Sequence, residues 1–246
     1  MKNFKHKLFD EVLYFENPDS TTRKANELIK SKEAHGNFLV IAREQSAGIG
    51  RKKNFWFSPK DGIWMTAALY GLSVESNLTI FTGICIHKSL SKLFPEIEGN
   101  LKLKWPNDIF LNNKKLCGIL SSHLSANKYH LLGIGINTSI DEFPQELTDI
   151  ATSLKKELNS EINNLTILNT LFDIFAEDLP DFIEGNIDIK YFKRNSFLLN
   201  KTVELDTDFD KFSGISHGIN KQGALLLELK EGMIQPFYAG TVVSWT

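Results

Sequence analysis

Cysteine is nearly absent from this 246-residue chain: there are two, Cys85 and Cys117, far apart and each among apolar neighbours. That count rules out a disulfide framework, and the lack of a Cys-x-x-Cys pair removes the common zinc spacings. An excess of one charge is missing as well. Lys and Arg number 28 against 30 Asp and Glu, a formal net charge of −2. Such a balance carries no general footprint for nucleic acid or membrane, so any bound phosphate must be held locally by a few placed cations and backbone amides. Long apolar runs are also lacking. Nothing approaches the roughly 18 residues of a membrane span. The opening MKNFKHKLFDEVLYFE has basic residues but no apolar core of a signal peptide. A cytoplasmic protein that binds neither DNA nor membrane is the expectation. The histidines at 6, 35, 87, 123, 130 and 217 are scattered without metal-like spacing and suggest no catalytic role.

What is present is an ordinary globular composition, 42% hydrophobic and 11% aromatic, enough for one full core and a small second domain. Residues 8–16 read as a short strand. They lead into Asp19-Ser20-Thr21-Thr22, an N-cap cluster, and a helix with Ala25, Leu28 and Ile29 on one face. Phe38–Ala42 is an apolar run of strand length, and Ile63, Met65, Ala67 and Leu69 alternate as a strand does. Between them, residues 44–61 form a Gly- and Lys-rich loop long enough to be either functional or disordered. Residues 78–94 read as a buried helix with a wetter edge at His87 and Lys88. Two strands, DIFL and KLCGILSS, are closed by Asn112-Asn113, residues that tolerate the positive φ of a tight hairpin. YHLLGIGIN follows as a further strand, and residues 151–195 are mostly helical, with Leu168, Leu171, Phe172 and Phe175 at core-facing spacing. From Phe197 onward the texture changes to five short alternating strands, the pattern of a small barrel. The predicted organisation is an α+β domain over 1–196 and a small all-β domain over 197–246.

Three segments carry chemistry. Gln45-Ser46-Ala47-Gly48-Ile49-Gly50-Arg51-Lys52-Lys53-Asn54 sets two glycines beside three cations, a pattern in which amides approach a phosphate closely and cations supply charge. Alone, such a string is more often a solvated basic turn. The aromatic Phe55-Trp56-Phe57-Ser58-Pro59 that follows is able to pack the loop over a ligand. Lys104-Trp105-Pro106-Asn107-Asp108 interrupts a strand at its proline. If the chain doubles back at Asn112-Asn113, Asp108 and Lys115 lie on adjacent strands and face a common ligand. Gly133-Ile134-Gly135-Ile136-Asn137 ends a strand with two glycines, a mark of tight strand packing or of a close ligand.

In this order and spacing, the segments resemble the biotin protein ligases. Further likeness lies in Asp19-Ser20-Thr21, in Lys115-Leu-x-Gly118-Ile-Leu and in the C-terminal Gly218-Ile-x-Lys-Gln-Gly-Ala-Leu-Leu-Leu-Glu228. The resemblance implies a biotin/lipoate ligase-like catalytic domain with a central mixed sheet, followed by an SH3-like β-barrel. It implies that biotin and ATP, with Mg²⁺ as part of the substrate complex, give biotinoyl-AMP, and that the biotinoyl group passes to a lysine of a biotin carboxyl carrier domain of a carboxylase. No tightly bound prosthetic group is implied. Carried over, Ser20, Thr21 and Gln45 hold the ureido head, and Gly48, Gly50 and Arg51 form the loop over biotin and its adenylate. Lys115 and Gly118 flank the biotin carboxylate. Trp56, Lys104, Asn107 and Asn137 belong to the nucleotide side, and Asp108 places Mg²⁺ or the incoming amine. Arg51, Lys115 and Asp108 are the catalytic expectation.

The chain departs from the usual loop at Ile49, where arginine is common, and at Lys53-Asn54, where a glycine–arginine pair is common. Thr22 stands where asparagine is common, and the chain ends at Trp245-Thr246 without the charged pair by which the barrel approaches the site in the best-known relative. Three other readings compete. A transcriptional repressor would need a DNA-binding module ahead of Ser20, for which 19 residues leave no room. A lipoate–protein ligase shares the fold and the adenylate logic but lacks the Lys-Trp-Pro-Asn-Asp string and the barrel, and a non-catalytic biotin binder would not need Arg51, Asp108 and Lys115 together. Some relatives pair their sheets edge to edge, so a homodimer is left open.

Overall fold

The computed structural model describes residues 1–73, 77–207, 209–230 and 232–246. Its first layer is a helix, α1 (Thr21–Ser31), opened by Ser20, whose Oγ accepts from the amide of Thr22 at 3.2 Å, and closed by Lys32 in the left-handed conformation. Ala25, Leu28 and Ile29 face inward, against Phe38, Val40, Ala68, Tyr129 and Leu131 of the sheet below.

That sheet has seven strands: β1 (Glu11–Phe15), β2 (Phe38–Ala42), β3 (Ile63–Tyr70), β4 (Leu101–Lys104), β5 (Asp108–Leu111), β6 (Lys114–Leu124) and β7 (Tyr129–Ile136). They lie in the order β1-β2-β3-β7-β6-β5-β4. Among the described strands of this sheet only β1 and β2 pair parallel, so the sheet is mixed, as expected. On its other face lie α2 (Leu78–Leu93) and α4 (Asn164–Ile183), joined by Phe81 stacked on Phe182 at 4.3 Å and edge-on to Phe175. Coverage on both faces explains why every residue of β2 is buried and why its sequence is apolar without alternation. The helical stretch after β7 is completed by α3 (Leu154–Leu158) and α5 (Ile189–Arg194).

The sequence reading missed β4. The strand path does break at Pro106: Trp105-Pro106, a cis peptide, sits in the turn between β4 and β5, which pair antiparallel with Lys104 opposite Asp108.

Five strands follow, β8 (Thr202–Asp206), β9 (Lys211–Ile219), β10 (Leu225–Glu228), β11 (Ile234–Phe237) and β12 (Thr241–Trp245), antiparallel in the order β11-β10-β9-β8-β12. Val203, Leu205, Leu225, Leu227 and Phe237 of this unit belong to the same apolar cluster as α2, α4 and the large sheet. The junction is specific. Trp105 donates its Nε1–H to the carbonyl of Gly223 at 2.9 Å, and Trp245 meets Phe197 edge-on while the Lys104 ammonium lies 4.2 Å above its ring.

One buried group makes stability depend on pH. His87 on α2 has no exposed surface; its Nε2 faces the Leu101 carbonyl at 3.0 Å and its Nδ1 the Tyr191 hydroxyl at 2.8 Å. Those partners assign a neutral ring that donates from Nε2 and accepts at Nδ1. Burial lowers its pKa from 6.5 to about 4, despite the carbonyl of Leu101. Between those values the unfolded chain binds the extra proton and the folded chain does not, so stability falls as the pH drops through this window. Chemical denaturation from pH 7 to pH 4 is expected to lose about 2–3 kcal/mol to this group. In His87→Asn, which is less stable at pH 7, that part of the acid limb should be absent; an unchanged acid limb would rule it out.

Candidate active site

A cavity of about 420 Å³ opens between the N-terminus of α1, the loop 45–58, and the ends of β5, β6 and β7. Its deep end is polar. Ser20 and Thr21 are 1% and 3% exposed; Ser20 is placed there as the N-cap of α1, and Thr21, the first helical residue, accepts at its hydroxyl from Thr66 Oγ1 at 2.9 Å. The Thr21 amide donates to Gln45 Oε1 at 2.7 Å, and Gln45 Nε2 donates to Ser58 Oγ at 2.8 Å. One glutamine thus ties the helix start to the far side of the loop. Leu120, on the same face of β6 as Gly118, and the ring of Trp56 supply apolar wall between this end and the charged one.

Trp56 forms the lid side. Gly118 and Gly135 are cross-strand partners on β6 and β7. A Cβ on Gly118 would stand 2.9 Å from the indole, and one on Gly135 2.4 Å from its Nε1. Both glycines are therefore required by close approach, and the partner they admit is this chain's own tryptophan. Lys115 Nζ lies 5.1 Å from the same ring.

The charged end depends on a β-bulge. Ile109 opposes Cys117, but the next pair is Phe110 with Lys115, so β6 carries one extra residue there. Without it Lys115 would lie opposite Leu111, on the sheet face that Asp108 does not occupy. With it, Lys115 Nζ stands 2.7 Å from Asp108 Oδ1, with side chains 32% and 16% exposed. Asn107 continues this end, donating Nδ2 to the Ile119 carbonyl at 2.8 Å and accepting from Arg51 Nη1 at 3.1 Å. Asp108 is the one carboxylate lining the cavity among the described residues, and no group of three His, Cys, Asp or Glu among them is placed to hold a metal.

Most of the sequence-predicted residues meet here: Ser20, Thr21 and Gln45 at the deep end, Gly50, Arg51 and Trp56 on the loop, and Asn107, Asp108, Lys115, Gly118 and Asn137 along the strands. Two stand apart. Gly48 lies behind the wall, its carbonyl accepting from the Trp56 amide at 2.9 Å. Lys104 is turned to Phe110 and Trp245 at the junction with the C-terminal sheet, where burial lowers its pKa to about 8 against the opposing pull of Asp108. Asn137 lines the cavity, yet it donates its Nδ2 to the Thr152 carbonyl at 3.0 Å and thus braces the segment beside β6. Sequence reasoning missed Phe143, Leu147 and Ile150, which form another wall, and Thr241 of β12. The first three carry no motif; Ile150 is drawn to the cavity where the Lys115 amide bonds its carbonyl at 2.8 Å.

The chemistry on offer is recognition of a ligand with an apolar body, a compact polar head and an anionic end, in a site lined by the cations Arg51, Lys52 and Lys115. Comparison with known proteins agrees. Residues 14–139 match the Biotin/lipoate A/B protein ligase family, and residues 198–245 match the Biotin protein ligase C terminal domain. The bifunctional ligase/repressor BirA of Bacillus subtilis is 30% identical over 249 residues, covering 96% of this chain and 73% of the relative. A biotin--[acetyl-CoA-carboxylase] ligase of Paracoccus denitrificans is 28% identical over 225 residues, 85% of this chain and 90% of that protein. In fold, the chain superposes on the biotin protein ligase of Aquifex aeolicus in complex with biotin and ATP with a TM-score of 0.83, at 24% identity over 97% and 98% of the two chains. This chain belongs to the biotin/lipoate A/B protein ligase family and carries a biotin protein ligase C-terminal domain.

Proposed function

We propose that the protein is an ATP-dependent biotin protein ligase of the cytoplasm, and that its acceptor is a lysine on a biotin carboxyl carrier domain. The observation that carries this reading is one continuous cavity whose buried hydroxyl and amide end at Ser20, Thr21 and Gln45 is joined by apolar wall to the cationic end at Arg51 and Lys115. Biotin has that distribution: a ureido head, an apolar ring and chain, and a carboxylate. The C-terminal domain favours biotin over lipoate within the family.

In the first step a biotin carboxylate oxygen attacks the α-phosphorus of Mg-ATP; the new P–O bond forms as the bond to the β-phosphate bridge breaks, and pyrophosphate leaves. Lys115 and Arg51 offset the charge that gathers on the phosphoryl oxygens, and rate comes from holding the two anions together in a site that restricts water. In the second step the acceptor amine attacks the acyl carbon of the mixed anhydride, an amide forms, and AMP departs. Asp108 orients that amine. Its ion pair with Lys115 keeps each charge in place until a substrate group takes over one partner.

ATP–pyrophosphate exchange by the purified protein is expected with biotin and not with lipoate. Exchange with lipoate alone would move the chain to the other branch of its family, and exchange with neither would leave a binder. Lys115→Ala should lower exchange turnover by about a hundredfold, the scale of losing one transition-state charge contact, while the biotin Kd moves far less. Equal losses in both would remove Lys115 from the chemistry. Gly135→Ala should push Trp56 off the strands and weaken biotin binding about tenfold by calorimetry, since overpacking of this kind costs about 1–3 kcal/mol. Unaltered affinity would show that the indole is not a wall of the occupied site.

A further inference from the structure

In sequence, Trp245-Thr246 do not show the charged pair through which the resemblance implies that the C-terminal domain approaches ATP. The structure brings that domain to the cavity by another route. Arg51 spans two elements: Nη1 donates to Asn107 Oδ1 at 3.1 Å, and Nη2 donates to the backbone carbonyl of Gly240 at 2.6 Å. Asn107 stands in the turn between β4 and β5, and Gly240 in the turn between β11 and β12. The next residue, Thr241, lines the cavity.

We infer, on the ligase reading, that the Gly240 carbonyl is a positioning group for Arg51, through which the C-terminal domain sets where the loop cation meets the phosphoryl group. A guanidinium is a rigid planar fork. Hydrogen bonds from both of its ends to acceptors on separate elements fix its plane as well as its place, which a single bond does not. The loop alone supplies little of this. Its closure is by backbone, through the Ile49–Phe55 bridge and the Gly50 amide on the Asn54 carbonyl at 2.8 Å, bonds that hold the loop's path rather than the guanidinium plane, and Lys52 and Lys53 both hold positive φ, at 52° and 62°. A cation already in place when charge develops need not reorganise during the reaction.

The turn is built to keep that carbonyl fixed. Gly240 has φ +151°, and a Cβ there would stand 2.7 Å from Leu205 Cδ1, on a side chain with no exposed surface. A side chain at 240 is therefore both strained and obstructed, and the turn and the buried Leu205 side chain must readjust to admit it.

The test is a double-mutant cycle in ATP–pyrophosphate exchange with the full chain, biotin and Mg-ATP. Gly240→Ala should lower turnover about tenfold, the scale of one hydrogen bond to a charged group, with the KM for biotin nearly unmoved. Because it acts through Arg51, the double variant Gly240→Ala with Arg51→Ala should be no worse than Arg51→Ala alone. Additive losses would overturn the inference, since Gly240→Ala would then be acting elsewhere. A readout that does not need the glycine variant is hydrogen exchange of residues 238–242 in the ligand-free protein. Arg51→Ala should make these amides exchange several-fold faster, and an unchanged rate would overturn the contact itself. Wild-type protein without biotin-dependent exchange would bring down the ligase reading and the catalytic half of the inference, while hydrogen exchange would still decide the contact.

Discussion

The ion pair between Lys115 and Asp108 is the constraint on which the site depends, and a single extra residue in β6 makes it. Opposite charges 2.7 Å apart and largely withdrawn from water attract strongly enough to hold both side chains in one geometry. Around them the structure is arranged to keep the pair at the mouth of a cavity rather than in the core. Asn107 braces the preceding turn, the Ile150 carbonyl holds the Lys115 amide, and Trp56 lies over the neighbouring strands where two glycines leave space. A substrate anion that enters meets cations already oriented, so little reorganisation is left to the reaction.

Much of the fold was legible because local signals agreed with tertiary need. The N-cap at Ser20 both starts α1 and delivers a buried hydroxyl to the cavity, so one residue type answers two demands. The unbroken apolar run at Phe38–Ala42 follows from burial on both faces, and Asn112 and Asn113, at φ 49° and 64°, make the hairpin their side chains suggest. The predicted site residues came together mainly because the motifs flank those elements. What escaped depends on distant parts of the chain. The bulge has no local signature, yet it decides which face Lys115 occupies. Lys104 was expected at the nucleotide, but Trp245 arrives from the end of the chain and draws its ammonium away. Leu147 and Ile150 bear no motif because apolar wall can be built from many sequences. The strand Leu101–Lys104 was hidden by a proline that belongs to its turn.

The C-terminal sheet is more than an appendage. It shares the main apolar cluster, receives the Trp105 indole, and gives a carbonyl to Arg51. Where the resemblance implied charged side chains, this chain offers backbone and aromatic surface, so the two units are coupled by packing and hydrogen bonding. The departures in the glycine loop fit the same scheme. Lys53 takes a left-handed conformation where glycine is usual, and the loop gains outside support from Asn107 and Gly240.

The most direct test of the central claim, that this cavity makes and keeps a biotinoyl adenylate, is mass spectrometry of the protein-bound fraction after incubation with biotin and Mg-ATP without an acceptor. The account predicts biotinoyl-AMP bound in near-stoichiometric amount, with pyrophosphate released in equal quantity. Recovery of unreacted biotin and ATP, or of free AMP with no adenylate retained, would contradict it.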